Sequence, residues 1–129
     1  MSARILIIED NEAAMDLMVY LLHTSGYRTF SAENGAEGLR LAKQELPDLI
    51  VCDINLPEMD GLEVLWLLKE NSGARSIPIV AVTALAMVGD RERLLRAGFD
   101  GYISKPIDPE IFVAQMEALL RSARPNFGK

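Results

Sequence analysis

A chain of 129 residues, half of them hydrophobic and a quarter charged, makes one globular domain and is too short for two separate cores. Its net charge of −6 disfavours a nucleic-acid partner, which needs a basic face, and its single cysteine excludes an internal disulfide and fits a reducing cytosol. The longest apolar stretch, Ile77 to Val88, is broken by Pro78 and Thr83, so no membrane span is expected, and Glu9-Asp10 follows the N-terminus too soon for a secretory signal.

The elements alternate from the start. Ile5 to Ile8 is a short β-branched run that suits a strand buried on both faces. Helical spacing follows at Ala14, Leu17, Met18, Leu21 and Ser25, with Gly26 as a stop. Tyr27 to Ser31 alternates and carries charge, as an edge strand does. Asn34 followed by Glu37 resembles a capping box and opens a second helix, with Leu39, Ala42 and Leu46 inward and Pro47 ending it. Leu49 to Cys52 reads as a strand and Leu62 to Glu70 as a helix, on which Trp66 reads as a packing residue. Ile79 to Val82 is the next strand, and the helix Asp90 to Ala97 stops at Gly98. Tyr102-Ile103 is the last strand. The fifth helix opens at Asp108 as N-cap with Pro109 at its first position, and Ile107 is placed to staple onto Phe112.

Five β-α repeats with right-handed crossovers predict an α/β domain: a five-stranded parallel sheet with five helices on both faces. The second strand is the weakest and belongs at an edge. That favours the order 2-1-3-4-5, a flavodoxin-like, doubly wound layout with its switch point between the first and third strands. The domain is expected over residues 1–122, with a short polar tail over 123–129.

Ligands of open α/β sheets bind beyond the carboxyl ends of the strands. There the first strand ends in Glu9-Asp10, the third in Asp53, the fourth in Thr83 and the fifth in Lys105-Pro106. A single strand-end aspartate is commonly a turn or cap residue, and Glu9-Asp10-Asn11 could cap the first helix. Caps do not account for a lysine at the last strand. Three carboxylates brought together repel one another and call for a cation. An all-oxygen set with one amine points to Mg²⁺. Zinc is disfavoured, because His23 lies on the first helix and Cys52 points into the sheet. A carboxylate, Mg²⁺, a lysine and a hydroxyl together suit phosphoryl transfer onto an aspartate.

With these residues in place, the chain resembles the receiver domains of two-component response regulators from Arg4 to about Leu120. The matching pieces are Ile7-Ile-Glu9-Asp10-Asn11, Asp53-Ile-Asn-Leu-Pro57-Glu-Met-Asp-Gly61, Val82-Thr83-Ala84 and Tyr102-Ile-Ser-Lys105-Pro106. The resemblance implies that Asp53 is the phosphoacceptor and that Glu9, Asp10, Asp53 and the backbone carbonyl of Asn55 hold Mg²⁺. It implies that Lys105 pairs with the phosphoryl group and that the Lys105–Pro106 bond is cis. Thr83 and Tyr102 would be the switch pair, and Pro57 and Gly61 would shape the loop after the acceptor. Glu9 stands where Asp is commoner in the family, and its longer arm could reach the metal directly or through water. Leu85 and Asn55 sit where the family tunes phosphoryl lifetime. The segment Thr83 to Arg91 is similar to receivers of hybrid histidine kinases and to stand-alone cell-cycle receivers.

The resemblance also implies partners. A histidine kinase or histidine phosphotransferase would present a phosphohistidine on a helical bundle. A downstream protein would read the face of the fourth helix, fifth strand and fifth helix. On the first helix, Asn11, Met15 and Val19 lie off the core stripe beside the acidic rim and are expected to dock the bundle, ordinary packing being the plain alternative. The chain is expected to be a cytoplasmic signalling protein, not an enzyme, that phosphorylates and dephosphorylates its own Asp53 with Mg²⁺, and to bind no nucleic acid or membrane. A receiver fragment of a larger hybrid kinase would carry the same residues. A mononucleotide binder of the same topology needs a phosphate cradle at the first strand–helix turn, and Glu9-Asp10-Asn11-Glu12-Ala13 would repel phosphate. A pure scaffold would show no metal dependence.

Overall fold

The computed structural model describes residues 3–84 and 89–123. Strand position follows apolar content. Leu49–Asp53 (β3) and Ile79–Thr83 (β4) are buried at every residue and lie inside the sheet. Arg4–Ile8 (β1) is buried from Ile5 onward. The mixed strand Arg28–Ala32 (β2) and the short Gly101–Ser104 (β5) form the edges. All pairings are parallel in the order β2-β1-β3-β4-β5.

Alternation along the strands divides the core in two. Leu6, Ile8, Ile50 and Cys52 pack with residues of Gly35–Glu45 (α2), Gly61–Lys69 (α3) and Asp90–Ala97 (α4). Ile5, Ile7, Leu49 and Val51 pack on the other face with Glu12–Thr24 (α1) and Phe112–Ala123 (α5). Each fully buried Leu or Ile contributes roughly 1.5–3 kcal/mol. Strands apolar on both faces fix their register weakly by pattern alone, because a one-residue slip exchanges one apolar set for another. Polar clasps at the N-terminal ends supply the missing specification. Asp48 accepts the Arg4 N–H at 2.8 Å and returns its own N–H to the Arg4 carbonyl at 2.8 Å. Asp100 does the same to Ile79, again at 2.8 Å in both directions.

Several expectations shift. On α1 the fully buried residues are Met18 and Leu22, while Leu21 is half-buried and Ser25 is an exposed C-cap. Met15 and Val19, placed off the stripe by periodicity, are half-buried against the same cluster. The helix touches both the sheet and α5, so its covered arc is wider than one stripe. Leu46 does not turn inward. It caps α2 in the left-handed region (φ 47°) and is 48% exposed, because the residue before Pro47 is disfavoured in helical conformation. Trp66 faces solvent at 60% exposure. Residues 109–111 form a turn in which the Asp108 carbonyl accepts from both Ile111 and Phe112, so α5 proper starts at Phe112. Ile107 and Phe112 are buried in one cluster, as the staple requires. Leu85 and the tail after residue 123 lie outside the described residues. No helix among the described residues is long and apolar enough to cross a membrane.

Candidate functional site

Two glycines bring the acidic strand ends together. A Cβ on Gly38 would collide with Ile8 Cδ1, so α2 lies directly on the residue preceding Glu9. A Cβ on Gly61 would stand 2.8 Å from the Asp53 carbonyl oxygen, so α3 starts against the backbone of the acceptor strand. The Gly61 N–H donates to the Ile54 carbonyl at 2.9 Å and closes the intervening loop. Glu58 in that loop holds a left-handed conformation (φ 65°).

At the carboxyl rim Glu9, Asp10 and Asp53 each place an oxygen within 4.8 Å of the others. Lys105 faces them from the end of β5. Its Nζ lies 3.1 Å from Asp53 Oδ2 and 3.0 Å from each oxygen of Glu9, donating a hydrogen bond to Oε2. The Asn55 N–H donates to Asp53 Oδ1 at 3.0 Å and the Asn11 N–H to Glu9 Oε2 at 3.1 Å. Glu9 is 1% exposed, and its buried Oε1 is ion-paired to the Lys105 ammonium at 3.0 Å and accepts no further hydrogen bond. The Lys105–Pro106 bond is cis.

Burial, then the hydrogen bond it shares with Asp53, pushes the Glu9 carboxyl up to about 7, against the opposing pull of Lys105. Burial alone would lower the Lys105 ammonium, but hydrogen bonds to Glu9 and Asp53 outweigh it and hold the group above its ordinary value. At this spacing each pair of ionised carboxylates repels by roughly 3–4 kcal/mol at an effective dielectric near 20. One lysine against three acids leaves a deficit of positive charge. A hard cation with oxygen ligands fits this all-oxygen donor set.

Thr83 is buried at the end of β4, and its carbonyl accepts the Lys105 N–H at 2.9 Å. Tyr102 is half-buried against the cluster beneath α2, α3 and α4. Asn11 is the N-cap of α1, its Oδ1 accepting from Ala14 at 2.8 Å. The plain capping role therefore holds for Asn11 but not for Glu9. Cys52 is buried beside Asp53, and burial pushes its thiol up. Sequence reading missed Asp16 and Glu33, which line a hollow next to Glu9 and Asp10. The strand-end rule applied to β2 finds Glu33, and Asp16 follows Glu12 by one helical turn.

A family model of the response regulator receiver domain matches residues 5–117. The chain is 46% identical over 123 residues to the polar-differentiation response regulator DivK of Brucella anthropi, covering 95% of this chain and 100% of that protein. Its fold matches the receiver domain of a signal transduction histidine kinase from Syntrophus aciditrophicus with a TM-score of 0.86 and 31% identity, over 99% of this chain and 97% of the other. It also matches the receiver domain of a sensor histidine kinase from Pseudomonas aeruginosa PAO1 with a TM-score of 0.82 and 30% identity, over 98% and 100%. That domain is described with a magnesium ion coordinated in its active-site cleft.

Proposed function

The chain belongs to the family of response regulator receiver domains, and from that premise we propose that it takes a phosphoryl group from a phosphohistidine donor onto Asp53 and signals through altered protein contacts. The reading rests on one observation: Asp53 lies 3.1 Å from Lys105 Nζ with two further acids close by. An oxygen of Asp53 attacks phosphorus and the phosphorus–nitrogen bond breaks. Its electron pair stays on the imidazole nitrogen, which takes a proton from solvent.

Glu9, Asp10, Asp53 and the Asn55 carbonyl are the groups to hold Mg²⁺, which when bound supplies positive charge to the phosphoryl oxygens. Lys105 exchanges its contact with Asp53 for one with the phosphoryl group. Thr83, buried at the mouth, donates to another phosphoryl oxygen, and Tyr102 follows it. These charge-assisted hydrogen bonds bias the β4–α4 region between two arrangements. The face of α4, β5 and α5 carries the result to a downstream protein. The donor, a histidine kinase or histidine phosphotransferase, docks beside Asn11, Met15 and Val19 on α1.

Incubation with acetyl phosphate and Mg²⁺ followed by intact mass tests the reading. Wild type gains the mass of a phosphoryl group only with the metal present, and Asp53→Asn gains none. Equal labelling of the variant, or none of the wild type, overturns it.

A further inference from the structure

The loop that carries the chain from Asp53 to α3 contains a tight turn of the rarer hand. The Met59 N–H donates to the Pro57 carbonyl at 2.6 Å, and Glu58 between them has φ 65°. A three-residue turn whose central residue has positive φ is rare and strained, and glycine is the residue that adopts it freely. Such strain persists only where the surrounding contacts over-determine it, and here they do. Leu56 is buried, and Met59 packs against the same cluster. Met59 also sits on α2 at Gly35, where a Cβ would stand 2.9 Å from its Sδ. Only Pro57 and Glu58 are left to turn the chain between these two apolar anchors. The Glu58 side chain is exposed, and among the described residues nothing pairs with its carboxylate. Its backbone is what the loop uses.

Upstream, the same turn leads to a candidate metal ligand. Asn55 lies between buried Ile54 and buried Leu56, and its N–H donates to Asp53 Oδ1 at 3.0 Å. Pro57 fixes its own φ and disfavours the helical region for Leu56. Little torsional freedom therefore separates the Asn55 carbonyl from Glu58. We infer, on the phosphoacceptor reading, that Glu58 is a positioning residue for Mg²⁺: its left-handed backbone, not its carboxylate, keeps Leu56 and Met59 seated together and so fixes the Asn55 carbonyl. A residue that resists positive φ lets the turn open. The apparent metal affinity then falls in proportion to the fraction of molecules still closed.

The test compares Glu58→Gln, Glu58→Asn, Glu58→Gly and Glu58→Val, which all remove the same charge. Asn and Gly accept the left-handed region, Gln keeps the shape of Glu, and the branched Val resists positive φ. Mg²⁺ binding is measured by calorimetry on the unphosphorylated protein, and Asp53 labelling by acetyl phosphate is followed by intact mass across Mg²⁺ concentrations. Gln, Asn and Gly are expected to bind Mg²⁺ within about twofold of wild type, and Val about tenfold more weakly. Labelling of the Val variant half-saturates at about tenfold higher Mg²⁺ yet reaches the same plateau, because bound metal selects the closed turn. Thermal melting checks that each variant is folded, and Glu58→Thr, equally branched, replaces a Val variant that is not. Equal Mg²⁺ affinity in all four variants, a loss in Gln as large as in Val, or a Val defect confined to the plateau overturns the inference while the phosphoacceptor reading stands. Absence of Mg²⁺-dependent labelling in wild type overturns both.

Discussion

The two rims of the sheet use the same residue types to opposite ends. At the N-terminal rim Asp48 and Asp100 each bind a backbone N–H and return one, and the Arg4 guanidinium donates to the Glu45 carbonyl at 2.6 Å and the Leu46 carbonyl at 3.1 Å. Arg4 also pairs with the Glu45 carboxylate and lies over the Phe30 ring. At the C-terminal rim Glu9, Asp10 and Asp53 face one another with one lysine among them. Carboxylates matched within the chain are structural. Carboxylates left to confront each other await something from outside it.

Four substitutions sharpen or break that contrast. The largest effect is expected from Lys105→Ala. Removing a preorganised donor to a developing phosphoryl charge slows labelling of Asp53 about 10²–10³-fold. The same change removes positive charge from the acid cluster and should tighten Mg²⁺ binding, measured by calorimetry. Arg4→Ala at the opposite rim should leave both quantities unaltered. If the two variants behave alike, the contrast is broken.

The second effect concerns proton uptake. Burial, then the hydrogen bond with Asp53, pushes the Glu9 carboxyl up to about 7, against 4.5 as its ordinary value. The folded state therefore binds more protons than the unfolded one between these values. That contribution to stability is fully present below pH 4.5 and is lost as pH rises through about 7. Denaturant titrations of metal-free wild type against Glu9→Gln should show a pH-dependent difference of at most about 3 kcal/mol, which saturating Mg²⁺ reduces. A difference that grows in the opposite direction would refute the burial of Glu9 among acids.

The smallest effect is expected from Asp100→Ala. It leaves the Ile79 N–H without its acceptor, costing about 1–3 kcal/mol of stability by urea unfolding, with no change in the rate of Asp53 labelling per folded molecule.

The C-terminal rim was legible because its residues end apolar runs. Asp53, Thr83 and Lys105 are placed by strand and topology, and a parallel sheet gathers strand ends by construction. The N-terminal rim was not legible. Asp48 and Asp100 precede strands and look like turn residues, and their partners Arg4 and Ile79 are 44 and 21 residues away. Register decides those contacts, and register is set by the assembled sheet. Leu46 misled because periodicity continues past the point where Pro47 ends the helix. Met15 and Val19 lie partly in the core because the covered arc of α1 is wider than the stripe its periodicity marks.

Cys52 gives the chain an internal clock. Its sulfur lies in the strand that carries Asp53, buried under α2 and α3, and burial disfavours its reactive thiolate. An alkylating reagent reaches it only when that strand leaves its neighbours. The alkylation rate therefore counts rare openings of the molecule at the position adjoining the acceptor, with no engineered label.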